Sequence, residues 1–468
     1  MVRFGTIWCV TLCALLSEPA AAQNRILLNG NVVTPSGIIQ SGWVYIEDSK
    51  IVSVTEAKPN VQASVIQSDD YIYPGFVDLH NHPVYNVFPR WTPPQLYNNR
   101  YEWRRAQTYL DTIQKPEVDL IKSNEFCDMD EFAELKELIG GTTTLLGISK
   151  PARDKPVPSC IQGLARNLDW YTGFYGTSAG QEPVANALGI TPKGYPPIAA
   201  DWPGDMPPER ADEFRQGLQS GQFNLFVIHL AEGKRTDAEA QSEFGLLKSA
   251  QFLTPKTVII HGVGLGTADF AEMAKIGASL VWSPRSNVVL YGETTDVVAA
   301  LRQGVTLALA PDWSPTGSTN MLAELKYAND YAMTKLSGAI SSKQLFEMAT
   351  TVPAHIAQID QWVGSIADGK YADVFMMKKN AMDAYANLVS ASPADVTLVI
   401  VNGVPVYGTA ERLTQAGVTG TEDIMVCADK RALNSQALTN GTFSAVVAQL
   451  TPKLAAENIA LGPIAECN

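Results

Sequence analysis

The chain has 468 residues, 46% hydrophobic and 18% charged, the composition of a globular protein with one large core and a smaller satellite. A formal net charge of −13 at pH 7 argues against nucleic acid or an anionic membrane as partner, since both need clustered Lys and Arg. A small-molecule substrate is the expected partner, with homo-oligomerisation left open.

Residues 1–22 read as a cleaved signal peptide. Arg3 gives a positive start, residues 4–16 an apolar run too short to span a bilayer, and Ala20-Ala21-Ala22 a small-residue cleavage site. The expectation is a periplasmic or secreted mature protein, free of the membrane after cleavage. Cleavage removes Cys9 and Cys13 and leaves Cys127, Cys160, Cys427 and Cys467. An even number in an exported chain suggests disulfides, and the local pairs Cys127–Cys160 and Cys427–Cys467 are expected; buried free thiols are the alternative.

Residues 23–72 carry short strand signals at 26–28, 43–46 and 51–54 and read as the N-terminal part of a small β-sandwich. The stretch Tyr73-Pro74-Gly75-Phe76-Val77-Asp78-Leu79-His80-Asn81-His82 reads as an apolar strand ending in two histidines at i and i+2. In a strand that spacing turns both imidazoles to one face. An aromatic segment without clean periodicity follows at 85–109, then a helix at 128–139 stopped by Gly140-Gly141, then a buried strand at 142–148. Residues 177–208, rich in Gly and Pro, read as a loop insertion holding one strand that the pattern does not locate.

From residue 222 the chain becomes regular, with strands at 225–228, 258–260, 279–282 and 306–310 and helices at 237–252, 268–276, 296–302 and 320–335. This alternation predicts a parallel sheet with right-handed crossovers and an α/β fold, a (β/α)8 TIM barrel over 73–355. Strands return at 373–377, 396–401 and 404–407, the last two joined by an Asn402-Gly403 turn. Residues 356–416 therefore supply the C-terminal part of a composite β-sandwich built from both chain ends. Residues 417–468 read as a partly helical extension.

In a parallel barrel the C-terminal strand ends form the active-site rim. His80 and His82 end one strand, His229 and His261 end two others, and Asp312 follows the strand at 306–310, so four of the five histidines share a rim with an aspartate. His355 lies apart and reads as structural. Imidazole nitrogens and a carboxylate oxygen suit a single divalent metal; zinc leads, and iron or another first-row ion fits the same ligands.

The motifs Pro74-Gly75-Phe76-Val77-Asp78, His80-Asn81-His82, His229-Leu230-Ala231-Glu232, Ile260-His261-Gly262, Ser283-Pro284-Arg285-Ser286-Asn287 and Ala310-Pro311-Asp312 resemble those of the amidohydrolase superfamily. The resemblance is closest to its mononuclear branch, which includes cytosine and guanine deaminases and triazine hydrolases, and it runs from Ile26 to Tyr407. It implies one metal held by His80, His82, His229 and Asp312. It further implies a metal-bound water that His261 and Asp312 orient and deprotonate, with Glu232 as the general acid. The binuclear branch uses a lysine on a mid-barrel strand, a part for which only Lys150 is a candidate.

The implied function is hydrolysis of a non-peptide carbon–nitrogen bond through metal-bound hydroxide, with deamination of a planar heterocycle as the leading version. Hydrolysis of an amide, cyclic amide or peptide-like substrate by the same site is the alternative. A non-catalytic binding protein is a third reading, weakened because the ligand set is complete. Trp91 in the aromatic segment, and Trp282 and Arg285 at another strand end, are candidate substrate contacts. Arg90, Arg100, Arg104 and Arg105 of that segment could pair with a substrate carboxylate.

Overall fold

The computed structural model describes residues 24–147, 160, 163–169, 184–187 and 208–467. The expected signal peptide, Lys150 and most of the 177–208 insertion lie outside these residues.

The strands, in order, are β1 (Arg25–Thr34), β2 (Gly37–Glu47), β3 (Lys50–Thr55), β4 (Ser64–Pro74), β5 (Phe76–Asp78), β6 (Thr142–Leu145), β7 (Arg166–Asn167), β8 (Val184–Ala187) and β9 (Leu225–Leu230). They continue with β10 (Thr257–His261), β11 (Ser279–Trp282), β12 (Leu307–Leu309), β13 (Val374–Met377), β14 (Val396–Val401), β15 (Val404–Gly408), β16 (Thr421–Val426) and β17 (Asp429–Asn434).

Both chain ends enter one nine-stranded sheet, ordered β16-β17-β15-β14-β13-β4-β1-β2-β3. They are therefore hydrogen-bonded into a single sheet, where the sequence predicted a sandwich. The seam is β4 against β13, with Tyr73 opposite Phe375 and their rings stacked at 5.2 Å. Alternation along the strands sends Ile26, Leu28, Val44, Ile46, Ile72, Val374, Met376, Leu398 and Ile400 into one buried cluster. Leu27 and Tyr45 pack on the opposite face. Residues 421–434, read as an extension, add the outer two strands at one edge.

The remaining eight strands form two arcs, β5-β6-β7 and β12-β11-β10-β9-β8, and every described pair within them is parallel. Asn81 bridges Asp312 where the arcs meet, with the His82 N–H donating to Asp312 O at 3.0 Å and the Asp312 N–H to His80 O at 3.2 Å. Val77, Leu225, Val227, Val258, Ile260, Val281 and Ala308 share one core. The alternating Phe226, Ile228, Ile259, Leu280, Trp282, Leu307 and Leu309 pack in another, under the helices. Burial on both faces explains why these strands read as continuous apolar runs. The helices Ala238–Ser249, Val297–Gln303 and Met321–Lys335 begin where Asp237, Asp296 and Asn320 accept a backbone N–H as N-caps.

The stretch 73–82 is not one strand. Pro74 ends β4, the Gly75 N–H donates to Asp373 O at 2.9 Å, and Phe76 starts β5 in the other sheet. A Cβ at Gly75 would lie 2.1 Å from Thr143 Oγ1, so only glycine allows this close passage.

The aromatic segment folds into short helical pieces, including Arg100–Trp103 and Gln107–Tyr109. Trp91, Tyr97, Trp103, Tyr109 and Ile113 form a buried cluster with Val446, Leu450 and Leu454 of the C-terminal helix Phe443–Ala456. Beyond that helix the Gly462 N–H donates to Val87 O at 2.7 Å. The two expected disulfides, Cys127–Cys160 and Cys427–Cys467, are formed. No described helix is long and apolar enough to cross a membrane.

Candidate metal and catalytic site

The four rim histidines come together with Asp312. The Nε2 atoms of His80, His82 and His229 are 3.3, 3.1 and 3.2 Å apart pairwise, and Asp312 Oδ1 lies 3.2 Å from His80 Nε2 and 3.4 Å from His82 Nε2. Four donors held tetrahedrally at about 2.0–2.1 Å from one ion would be about 3.3–3.4 Å apart, so the cluster has the dimensions of a single mononuclear metal centre. His261 groups with His80 and His229 on the adjoining side, its ring centroid 4.8 Å from that of His80.

Burial pushes His80 and His82 down to about 3 and holds His229 and His261 below their ordinary value. All four are neutral near pH 7, with lone pairs available. The His80 ring is fixed from behind, its Nδ1 2.9 Å from Ser283 Oγ. Below the loop, Asn81 Nδ2 donates to both Asp78 Oδ2 (2.7 Å) and Glu137 Oε1 (2.8 Å), and Asn86 Nδ2 donates to Asn81 Oδ1 (2.9 Å). Burial, then the neighbouring Glu137, raises the Asp78 carboxyl well above its ordinary value.

The backbone is bent at the rim: Ala231, His261 and Asp312 adopt φ of 51°, 67° and 69°. In β10, Val258 and Ile260 point into the core shared with Val77 and Val281, and Ile259 points away from it. Regular alternation would carry His261 outward with Ile259; the left-handed residue breaks the alternation, and the ring turns to the other histidines.

Glu232 is buried beside this cluster. Its Oε1 accepts from Tyr291 Oη at 2.8 Å, and its Oε2 lies 3.8 Å from both Arg100 Nε and His261 Nε2. Burial alone would raise its carboxyl; His261, Arg100, the Tyr291 hydrogen bond and Arg104 outweigh burial and hold it below the ordinary value. Since His261 is itself neutral near pH 7, the arginines and Tyr291 carry that effect. Trp103 Nε1 donates to Tyr291 Oη at 2.8 Å and completes the relay.

Three expected substrate contacts fall elsewhere. Trp282 is fully buried, donates to Thr294 Oγ1 at 2.8 Å and packs against Tyr331 of the helix layer, because it has the outward parity of β11. Trp91 sits among Tyr97, Trp103 and Tyr109, one layer behind the site. The Arg285 guanidinium is occupied by Glu466 of the C-terminal tail at 2.6 Å. His355 is exposed and pairs with Asp360 at 3.3 Å, away from the rim. The aromatics nearest the histidines are Tyr85 and Trp313, each with its ring centroid 6.3 Å from that of His82. Trp313 and Tyr291 escaped sequence reading: one follows Asp312 directly, and the other ends the helix Pro284–Tyr291, which shows no helical periodicity.

The amidohydrolase family profile matches residues 223–406, which hold β9 to β12 and the return to the sheet. A 5-methylthioadenosine/S-adenosylhomocysteine deaminase of Desulforudis audaxviator is 24% identical over 425 residues, covering 81% of this chain and 92% of that protein. Among solved structures, a zinc-bound adenosine deaminase of Xanthomonas campestris is similar, with a TM-score of 0.66, 17% identity, and coverage of 92% of this chain and 98% of that one. A zinc complex of atrazine chlorohydrolase from Arthrobacter aurescens has a TM-score of 0.66 at 15% identity, covering 92% of this chain and 100% of that one. The motifs, the fold and a donor cluster of metal-site dimensions agree with the profile match over residues 223–406, and the chain is a metal-dependent hydrolase similar to the amidohydrolase family.

Proposed function

We propose that the protein is an exported hydrolase that deaminates a planar heterocycle, with one divalent ion, zinc first, held by His80, His82, His229 and Asp312. The reading rests on one observation: three neutral imidazole nitrogens and a carboxylate oxygen crowd to 3.1–3.4 Å, a set of lone pairs that a cation satisfies and shared protons do not. The two parallel arcs, taken as a closed (β/α)8 barrel, would present that set at the C-terminal strand ends. An ion held there supplies the Lewis acidity that makes water a nucleophile near neutral pH.

The chain's own residues then handle protons. Glu232, ionised at neutral pH, accepts a proton as water adds to the ring carbon bearing the amino group, and passes it to the adjacent ring nitrogen. Asp312 and His261 take the second proton from the new hydroxyl and return it to the departing nitrogen. The carbon–nitrogen bond breaks, a carbonyl forms and ammonia leaves, so atoms and charge balance. Tyr291 and Arg100 keep Glu232 in its accepting form at the start of the cycle. The deaminases among the similar proteins favour a heterocycle over an acyl amide.

Ammonia release by metal-loaded protein from aminated purines, pyrimidines and triazines tests this reading. Free amine from N-acyl amino acids, with no ammonia from any heterocycle, would replace deamination by amide hydrolysis. Export is tested by N-terminal sequencing of protein recovered from the cell envelope or medium, where Gln23 is the expected first residue.

A further inference from the structure

Lys136 occupies a position where an apolar core residue would be expected. It lies in the helix Phe126–Ile139, is fully buried, and sends its terminal nitrogen to the seam where the two arcs meet. Lys136 Nζ donates to Asn86 O at 2.6 Å and to Ser314 Oγ at 3.0 Å. Asn86 stands four residues after His82, and Ser314 two after Asp312. One side chain therefore holds both loops that carry rim donors.

The two loops are also tied to each other around it. The Ser314 N–H donates to Asn86 Oδ1 at 2.7 Å, and Asn86 Nδ2 donates to Asn81 Oδ1 at 2.9 Å, between the two histidines. From the same helix, Glu137 Oε1 accepts from Asn81 Nδ2 at 2.8 Å and Glu137 Oε2 from Thr142 Oγ1 at 3.1 Å. The Lys136 carbonyl accepts from Asn320 Nδ2 at 3.1 Å, and Asn320 caps the helix Met321–Lys335 that follows the Asp312 loop. Consecutive residues of one helix thus meet both sides of the Asn81–Asp312 bridge.

Packing alone does not call for a lysine here. A methionine would fill a similar space without desolvating an amine, a loss that only hydrogen bonds offset. Burial pushes Lys136 down to about 7, and ammonium and amine alike carry enough hydrogens for both acceptors, so the clamp holds in either form. The spacing between the loops matters because the donors come from both sides. Asp312 Oδ1 lies 3.2 Å from His80 Nε2 and 3.4 Å from His82 Nε2, and a sub-ångström slip of one loop would take a donor out of reach of a shared ion.

Resting on the metal-centre reading, we infer that Lys136 is a positioning residue: by joining the His80–His82 loop to the Asp312 loop it sets the donor spacing of the rim, and with it the affinity of the site for its ion. It acts through Asn86 and Ser314 and touches none of the rim donors.

The test measures zinc affinity of metal-free protein by competition with a chromogenic chelator, beside urea unfolding of the same metal-free protein. K136M should weaken zinc binding about 10–100-fold, the range for groups that orient metal ligands. V44A destabilises from a buried position of the nine-stranded sheet and should leave zinc affinity within about twofold. S314A removes one of the two lysine bonds. It should weaken zinc less than K136M does, and add little in the K136M background, where that bond is already lost. Should K136M fail to fold, S314A set against V44A decides. Wild-type zinc affinity in K136M or S314A, loss of affinity in step with stability across K136M and V44A, or fully additive losses from K136M and S314A would overturn the inference. Wild-type protein that takes up no zinc would instead remove the metal-centre reading, and the inference with it.

Discussion

At the strand ends, three imidazole nitrogens and a carboxylate oxygen meet at 3.1–3.4 Å on three different segments. In the covering segment, by contrast, Trp91, Tyr97, Trp103 and Tyr109 are spread over ring contacts of 5.0–6.4 Å, and order comes from stacking and from the C-terminal tail. The first region is set by backbone: hydrogen-bonded strands, a parallel bridge at Asn81–Asp312 and left-handed residues at His261 and Asp312. The second is set by side chains and by a fastened tail, with Glu466 pairing with both Arg90 and Arg285 and Cys467 bonded to Cys427. Geometry held by backbone suits chemistry that tolerates little displacement, whereas a side-chain wall can change substrate without disturbing the rim.

The difference can be broken from the rim side first. His229→Ala should leave less than stoichiometric metal and lower the turnover of any substrate by roughly 10³-fold or more, measured by metal analysis and ammonia release. Glu232→Gln should cut kcat by roughly 10²–10⁴-fold while metal content stays at one equivalent, because the carboxylate moves protons and is not a ligand.

Acid exposes the rim in another way. The buried His80 and His82 titrate at about 3, below the ordinary 6.5, so the unfolded chain takes up protons first as pH falls. Their contribution to stability is complete above pH 6.5 and is lost progressively from there toward 3. The slope of urea-unfolding stability for metal-free protein should steepen from roughly 1.4 kcal/mol per pH unit at the upper bound to roughly 2–3 kcal/mol one unit lower, where each group contributes about 1.4 kcal/mol. A flat profile from pH 7 to 5.5 would contradict the buried neutral histidines.

The lid side should respond more weakly. Tyr291→Phe removes the hydrogen bond that favours ionised Glu232, so the acidic limb of the kcat profile should move to higher pH, with kcat at neutral pH falling only several-fold. Glu466→Gln loosens the tail while sparing every rim residue. It should raise KM or lower the thermal midpoint by a few degrees without changing metal content, read by steady-state kinetics and thermal unfolding.

The same contrast explains what was legible in the sequence. Strands β9 to β12 are buried on both faces, so their apolar runs and capped helices stand out, and the polar residue ending each run marks the rim. His80 and His82 were legible for a partly different reason: their i, i+2 spacing remains meaningful because the Asn81 bridge keeps the chain extended, although β5 has ended. The division of 73–82 between two sheets was hidden, because Gly75 marks only that a close passage is allowed and Thr143 supplies the reason from a distant strand. Trp282 and Arg285 misled for tertiary reasons. The outward parity of Trp282 depends on where β11 begins, and the partner of Arg285 is Glu466, 181 positions away. The aromatic segment has no periodicity to read because its rings pack in a non-repeating cluster against residues 446–454.

The central claim is that His80, His82, His229 and Asp312 form one metal centre. Anomalous diffraction at the zinc edge, on crystals of protein loaded with zinc, tests it most directly. The account predicts a single strong peak about 2.0–2.1 Å from the three Nε2 atoms and Asp312 Oδ1. Two peaks at the rim, or one peak that leaves any of these four donors uncoordinated, would contradict it.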